Sequence, residues 1–326
     1  MVNGLALSGG GDKGAFGAGL LCGWTKSGTR PTFKLVTGIS VGAIIAPVAF
    51  LGPAYDHVLK EVFTNISDKD IYKDHDALAL LLSIVNIRPL TSMSSTKPLT
   101  KLINKYIDAG MLEDISTEQR KGRRLIVGTT QLDAQRLVIW DMGAIAASNY
   151  LHKLDLFRKI ILASSAIPGD FLPQFFTVTA GGKRYQEMHV DGGVRVEILV
   201  YEDALEPFVV GRGQHNLFII RNDQVTPEWK SVRAQLKHIA FRALKSLTKA
   251  QGIGDLYRLY VYAQRDGINY NLAYIPRDFP YRNKTKFDKA YMNRLFDFAY
   301  NLAKNGYPWS KYPPEYNSIA GGHLHR

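Results

Sequence analysis

The amino-acid sequence predicts an α/β fold: a three-layer arrangement with one mostly parallel sheet, an antiparallel edge, and helices on both faces. Short runs rich in Val, Ile and Leu alternate with stretches at helical spacing, the pattern of buried strands joined by crossover helices. The tetrapeptide Ala180-Gly181-Gly182-Lys183 lies between two extended runs and reads as a hairpin turn, which places an antiparallel pair at one edge. A chain of 326 residues suffices for one large α/β unit or about two domains. No repeat, linker or composition break divides it. The expectation is a single domain over 1–326, with a core over 1–220 and a basic, Tyr-rich extension over 221–326 packed on it.

In chain order, strands are expected at 4–7, 34–37, 124–129, 137–141, 185–190 and 216–221, and helices at about 14–24, 41–50, 98–107 and 153–165. The uncharged run 35–55 is long enough to raise the question of a membrane span. Gly38, Ser40, Gly42, Pro47 and Pro53 interrupt it, so it reads as strand, sharp turn and buried helix. Over 229–250, Trp229, Val232, Leu236, Ile239, Ala243 and Leu247 recur at helical spacing among Lys and Arg with no acid. This basic amphipathic helix either packs on its own domain or meets a membrane. Thr285 with Asp288 resembles a capping box that opens a helix with Phe287, Tyr291, Leu295, Phe298 and Leu302 inward and Gly306 as its stop.

Hydrophobic residues at 46% and charged residues at 21% exclude a disordered chain. The single cysteine, Cys22, rules out an internal disulfide, and no Cys/His cluster has zinc spacing. Residues 1–20 show no basic segment followed by an apolar stretch, so no signal peptide is visible. A strand beginning near Val2 leaves open that a leader has been lost. A cytoplasmic or peripheral-membrane location is expected, with export left open. The net charge of +12 is concentrated in residues 229–326, which hold 17 Lys and Arg against 6 Asp and Glu, with 11 of the 17 tyrosines. Basic residues beside Tyr suit an anionic membrane surface. Nucleic acid would be attracted too, but no recognition motif is present and none is expected as a partner.

Two glycine-rich sites carry the chemistry. Ser8-Gly9-Gly10-Gly11-Asp12-Lys13-Gly14 follows a strand at the mouth of a helix, where backbone N–H groups and the helix dipole suit an anion. Its spacing also matches a dinucleotide loop, yet no acidic ribose ligand follows about 20 residues on, and the Lys-Ser/Thr ending of a P-loop is missing. The second site is Gly38-Ile39-Ser40-Val41-Gly42, a serine between glycines at a strand-to-helix turn, as in a nucleophile elbow. None of the eight histidines sits in a post-strand loop with a paired acid. Asp191 ends a strand and precedes Gly192-Gly193, where it is either a turn residue or the base of a two-residue dyad.

Together, four blocks in order resemble the patatin-like acyl hydrolase family: Gly9 to Gly14, Gly38 to Gly42, Ala163-Ser164-Ser165-Ala166-Ile167-Pro168-Gly169, and Asp191-Gly192-Gly193. The resemblance covers residues 4–200 and only loosely the last hundred. It implies a patatin-like sheet and a serine lipid acyl hydrolase of phospholipase A or lysophospholipase type. It further implies Ser40 as nucleophile, Asp191 as base, the N–H groups of Gly9, Gly10 and Gly11 as oxyanion hole, and Lys13 as a substrate-phosphate contact or a brace for the loop. The sequence departs from the family at Glu197 and Leu199, where Asn and Pro are usual. The alternatives are an esterase or thioesterase on soluble acyl donors, or a catalytically idle lipid- or nucleotide-binding module. No cofactor or metal is expected. No carboxylates stand at calcium-loop spacing, so hydrolysis of a monomeric soluble ester should persist in chelator, and loss restored by calcium would contradict this. Residues 77–96, an apolar run followed by a Ser-rich loop, are expected to cap or insert over Ser40.

Overall fold

A computed structural model describes residues 1–71, 96–199, 213–283 and 285–316. The cap expected over 77–96 lies, except for Thr96, outside the described residues. An eight-stranded sheet comprises β1 (Val2–Leu7), β2 (Leu35–Gly38), β3 (Arg124–Gln131), β4 (Arg136–Asp141), β5 (Gln174–Ala180), β6 (Lys183–Asp191), β7 (His215–Arg221) and β8 (Ile268–Tyr274). Its order is β5-β6-β3-β2-β1-β7-β8, with β4 pairing β3 off that path. The run β3-β2-β1-β7-β8 is parallel. β4, β6 and β5 pair antiparallel, with the β5–β6 hairpin turning at Gly181-Gly182 as expected. The helices α1 (Gly14–Lys26), α2 (Val41–Leu51), α3 (Asp56–Asn65), α4 (Lys97–Tyr106), α5 (Ala109–Arg120), α6 (Met142–Ala147), α7 (Lys153–Ser164), α8 (Leu236–Arg265) and α9 (Lys289–Lys304) flank it.

Strand alternation builds two cores. Leu5, Leu7, Val36, Leu125, Val127 and Ile220 join helices α1, α2, α7 and α9 in one. Their sequence neighbours Ala6, Leu35, Ile126 and Ile219 join Leu256, Leu259 and Tyr260 of α8 in the other. Side chains on successive strand residues point to opposite faces, so strands apolar at every position must be covered on both. Helices α1 and α9 cross so closely that a Cβ on Gly19 would lie 2.2 Å from the Phe296 carbonyl oxygen, and one on Gly23 2.2 Å from that of Tyr300. Only glycine at both positions permits this seam.

Two helices begin later than their spacing suggests. Helix α8 starts at Leu236 after an extended Gln235 and continues to Arg265, so 229–235 is not helical and 251–265 is. The reason is burial: Leu256, Leu259, Tyr260 and Ala263 pack on the sheet, whereas the stripe at 229–247 stands in solvent, and a helix gains most of its stability from a packed face. Helix α9 opens at Lys289, capped by Asp288, whose side chain accepts from the N–H groups of Ala290 and Tyr291. Thr285 is not the cap, and Phe287 lies outside the helix with φ +53.

Candidate active site

The parallel strands β1 and β2 deliver the Gly loop and Ser40 side by side at their C-terminal ends, the edge where α/β sheets bind ligands. Leu7 pairs with Gly38, and the N–H of Ile39 donates to the Leu7 carbonyl at 3.2 Å. Ser40 sits at φ +54 immediately before α2, a strained conformation for a side chain that costs on the order of 1–3 kcal/mol. Its glycine flanks are needed for packing. A Cβ on Gly38 would meet the Gly42 carbonyl oxygen at 2.3 Å, and one on Gly42 the Leu7 carbonyl oxygen at 2.3 Å.

The hydroxyl of Ser40 donates to Asp191 Oδ2 at 2.6 Å. Asp191, buried at the end of β6, accepts the Gly193 N–H on its other oxygen at 2.7 Å, while its own N–H donates to the Ala166 carbonyl at 2.9 Å. Burial pushes the Asp191 carboxyl up from 3.8 to about 7, against the opposing hydrogen bonds from Ser40 and Gly193. The block Ala163-Ser164-Ser165 braces the elbow. Ser164 Oγ accepts the Ser40 N–H at 3.0 Å and donates to the Gly128 carbonyl at 2.7 Å, and Ser165 Oγ donates to the Ser40 carbonyl at 3.3 Å. No imidazole hydrogen-bonds Ser40 or Asp191 among the described residues. His189 instead pairs with Thr129 Oγ1 and Glu187.

The Gly loop touches Ser40: a Cβ on Gly9 would lie 3.3 Å from Ser40 Cβ. The N–H of Gly9 is engaged, donating to the Glu197 carbonyl at 3.3 Å. In this structure the hydrogen bond that shapes the loop therefore uses the single backbone donor of Gly9. The N–H groups of Gly10 and Gly11 meet no acceptor among the described residues. Gly10, at φ +154, is pressed on the Asn222 carbonyl. Asn222 holds the loop further, accepting the Gly17 N–H at 3.0 Å while its own amide nitrogens donate to Ser8.

Lys13 forms an ion pair with Asp223 at the end of β7. Burial works against its charge, but the Asp223 carboxylate outweighs this and raises its pKa. In this structure Lys13 therefore ties the Gly loop to β7. Asp12 is likewise occupied, accepting from Asn283 at 2.7 Å and from the Phe287 N–H at 3.3 Å. No group of three or more His, Cys, Asp or Glu suited to a metal occurs among the described residues.

Fold and constellation together define a class: an α/β protein with the nucleophile-elbow geometry used by serine hydrolases. A family model for patatin-like phospholipases matches residues 5–200, and the chain belongs to that family, one of hydrolases acting on lipid esters. A search of curated proteins found no match. Among solved structures, VipD from Legionella pneumophila aligns over 93% of this chain and 67% of its own at 12% identity, with a TM-score of 0.38.

Sequence reasoning missed several contributors. The serines 164 and 165 belong to a block quoted for resemblance alone. Asn222 lies in a stretch with no motif, and its role depends on β1 and β7 being brought together from distant parts of the chain.

Proposed function

We propose that this protein is a serine lipid acyl hydrolase working through Ser40 and Asp191 and an acyl-enzyme. The observation that carries the reading is the 2.6 Å hydrogen bond from Ser40 Oγ to Asp191 Oδ2 at the head of a strained elbow. Asp191 takes the hydroxyl proton as Oγ attacks the ester carbonyl, and the Gly10 and Gly11 N–H groups receive the oxyanion. Collapse expels the alcohol, which takes the proton from Asp191. A water deprotonated by the same carboxylate then attacks the acyl carbon, and the fatty acid leaves as Ser40 regains its proton. Labelling by a lipid-like fluorophosphonate, present in wild type and lost in Ser40→Ala, tests the reading, and equal labelling of the variant would end it.

The base must be ionised to act, so turnover should rise with pH through about 7, the value to which burial has brought Asp191.

Peripheral attachment to a membrane is part of the same proposal. No described helix is long and apolar enough to cross a membrane. Yet Trp229, Leu236, Ile239 and Leu247 are 81%, 86%, 52% and 69% exposed among the described residues, interleaved with Lys230, Arg233, Arg242, Lys245 and Lys249. Basic side chains with exposed apolar neighbours favour peripheral attachment to an anionic bilayer, with each Lys or Arg near the surface worth about 1 kcal/mol. The triple variant Lys230→Glu, Arg233→Glu, Lys237→Glu should bind anionic vesicles more weakly at low salt and turn over vesicle lipid more slowly, with hydrolysis of a short soluble ester unchanged. Equal vesicle binding would remove the docking role.

A further inference from the structure

The carboxyl of Glu197 stands between the Gly loop and the dyad. A Cβ on Gly9 would meet Glu197 Oε2 at 3.1 Å, beside Ser40 Cβ at 3.3 Å. One on Gly193 would meet Glu197 Oε1 at 2.7 Å and Asp191 Oδ1 at 3.0 Å. The two acid oxygens flanking Gly193 are thus no more than about 5.7 Å apart, the sum of those two distances.

The backbone of Glu197 is clamped on both sides. Its N–H donates to Asp255 Oδ2 of α8 at 2.9 Å, and its carbonyl receives the Gly9 N–H at 3.3 Å. Its carboxyl oxygens make no hydrogen bond among the described residues.

Resting on the acyl-hydrolase reading above, we propose that Glu197 is a positioning residue for the dyad. As a neutral acid it fills the wall between the Gly loop and Asp191, and as an anion it shuts hydrolysis down by opposing both the Asp191 carboxylate and the oxyanion forming on the loop. Like charges at this range in a partly desolvated site cannot both ionise freely. The charged groups facing Glu197 are Asp191 at the end of β6, Arg221 and Asp223 at the end of β7, and Asp255 on α8. Of the three acids, Asp223 is paired with Lys13 and Asp255 with Arg258, which leaves Asp191 as the one without a cation partner among the described residues. Arg221 is fully buried, with Nε and Nη1 unpartnered among the described residues, and it forms no ion pair with Glu197. Burial, against the opposing charge of Arg221 and helped by the neighbouring acids, pushes Glu197 up to about 8 while Asp191 stands at about 7. Competence therefore belongs to the state with Asp191 ionised and Glu197 neutral.

The test is the pH profile of Ser40-dependent hydrolysis of a soluble ester, with the Ser40→Ala rate subtracted. Wild type should give a narrow bell, its acid limb near pH 7, with turnover falling about tenfold or more above pH 8. In Glu197→Gln the acid limb should stay in place, because the side chain is neutral there in both proteins, and the alkaline limb should vanish. Should this variant fail to fold, Glu197→Asn, neutral and smaller, carries the same expectation. An unchanged alkaline limb, or a uniform drop across all pH values, would overturn the role. Fluorophosphonate labelling separates the two readings. Ser40-dependent labelling with an unchanged limb defeats only Glu197, whereas no Ser40-dependent labelling in wild type defeats both.

Discussion

Replacing Ser40 by Ala should lower turnover of a soluble ester by at least about 10⁴-fold, and Asp191→Asn by a comparable factor, the scale seen when a nucleophile or its carboxylate partner is removed. With one hydrogen bond joining the pair, either loss disables the same proton transfer, so the double variant should be little worse than either single one. Neither change should unfold the protein. For Asp191 the sign favours the variant at alkaline pH. A buried acid whose pKa is raised from 3.8 to about 7 costs the folded state stability as pH climbs through that interval, and Asn removes the cost. Thermal melts of wild type and Asp191→Asn between pH 5 and about 8 should show the wild type losing ground as pH rises. Turnover in Ser40→Ala beyond the no-enzyme rate would refute the assignment, and a single His→Ala change with an equal loss would replace the dyad by a triad.

The second large effect is expected at Gly10. Alanine there would hold φ +154 with its Cβ 2.1 Å from the Asn222 carbonyl oxygen, so the loop must move and the donors with it. One oxyanion donor is typically worth about 10²–10³ in turnover, and Gly10→Ala should lose at least that much. Gly11 provides the control. It has φ +60 but nothing within 4 Å of an added Cβ. Gly11→Ala should therefore cost about 1 kcal/mol of stability through its left-handed backbone and leave most activity intact. Equal activity losses in the two variants would show that backbone strain, not donor position, decides.

Much of this was legible because strong local signals coincide with structure. Helices α1 and α2 begin where the two glycine sites end, and their first residues, Gly14 and Val41, fall where spacing puts them. Strand β8 was illegible because Asn269 and Asn271 break its apolar run. Asn271 is buried only because its amide reaches the Leu217 and Asn269 carbonyls. Helix α5 shows too sparse a stripe, with Met111, Leu112 and Ile115 among Gly110, Ser116 and Thr117. In the site, Ser40 and Asp191 follow from motif, whereas the engagement of Gly9 with the Glu197 carbonyl and of Lys13 with Asp223 arises from pairings between remote segments. The exposed stripe of α8 was visible as periodicity, but its packed half, carrying Leu256 and Leu259, was hidden by Gly252 and Gly254 at the centre of the helix.

The holding of the Gly loop also sets a timetable for biosynthesis. Ser40 lies early in the chain, yet the loop beside it is shaped by Asn222, Asp223, Asn283 and Phe287, and its helix α1 is locked to α9 through Gly19 and Gly23. Contacts of such sequence separation form late, because the entropy of closing the intervening chain must be met first. A nascent chain emerging from the ribosome therefore carries Ser40 long before it carries a finished Gly loop. The loop takes its final shape only as α9 docks on α1, so a nascent chain lacks it until residues 289–304 have emerged.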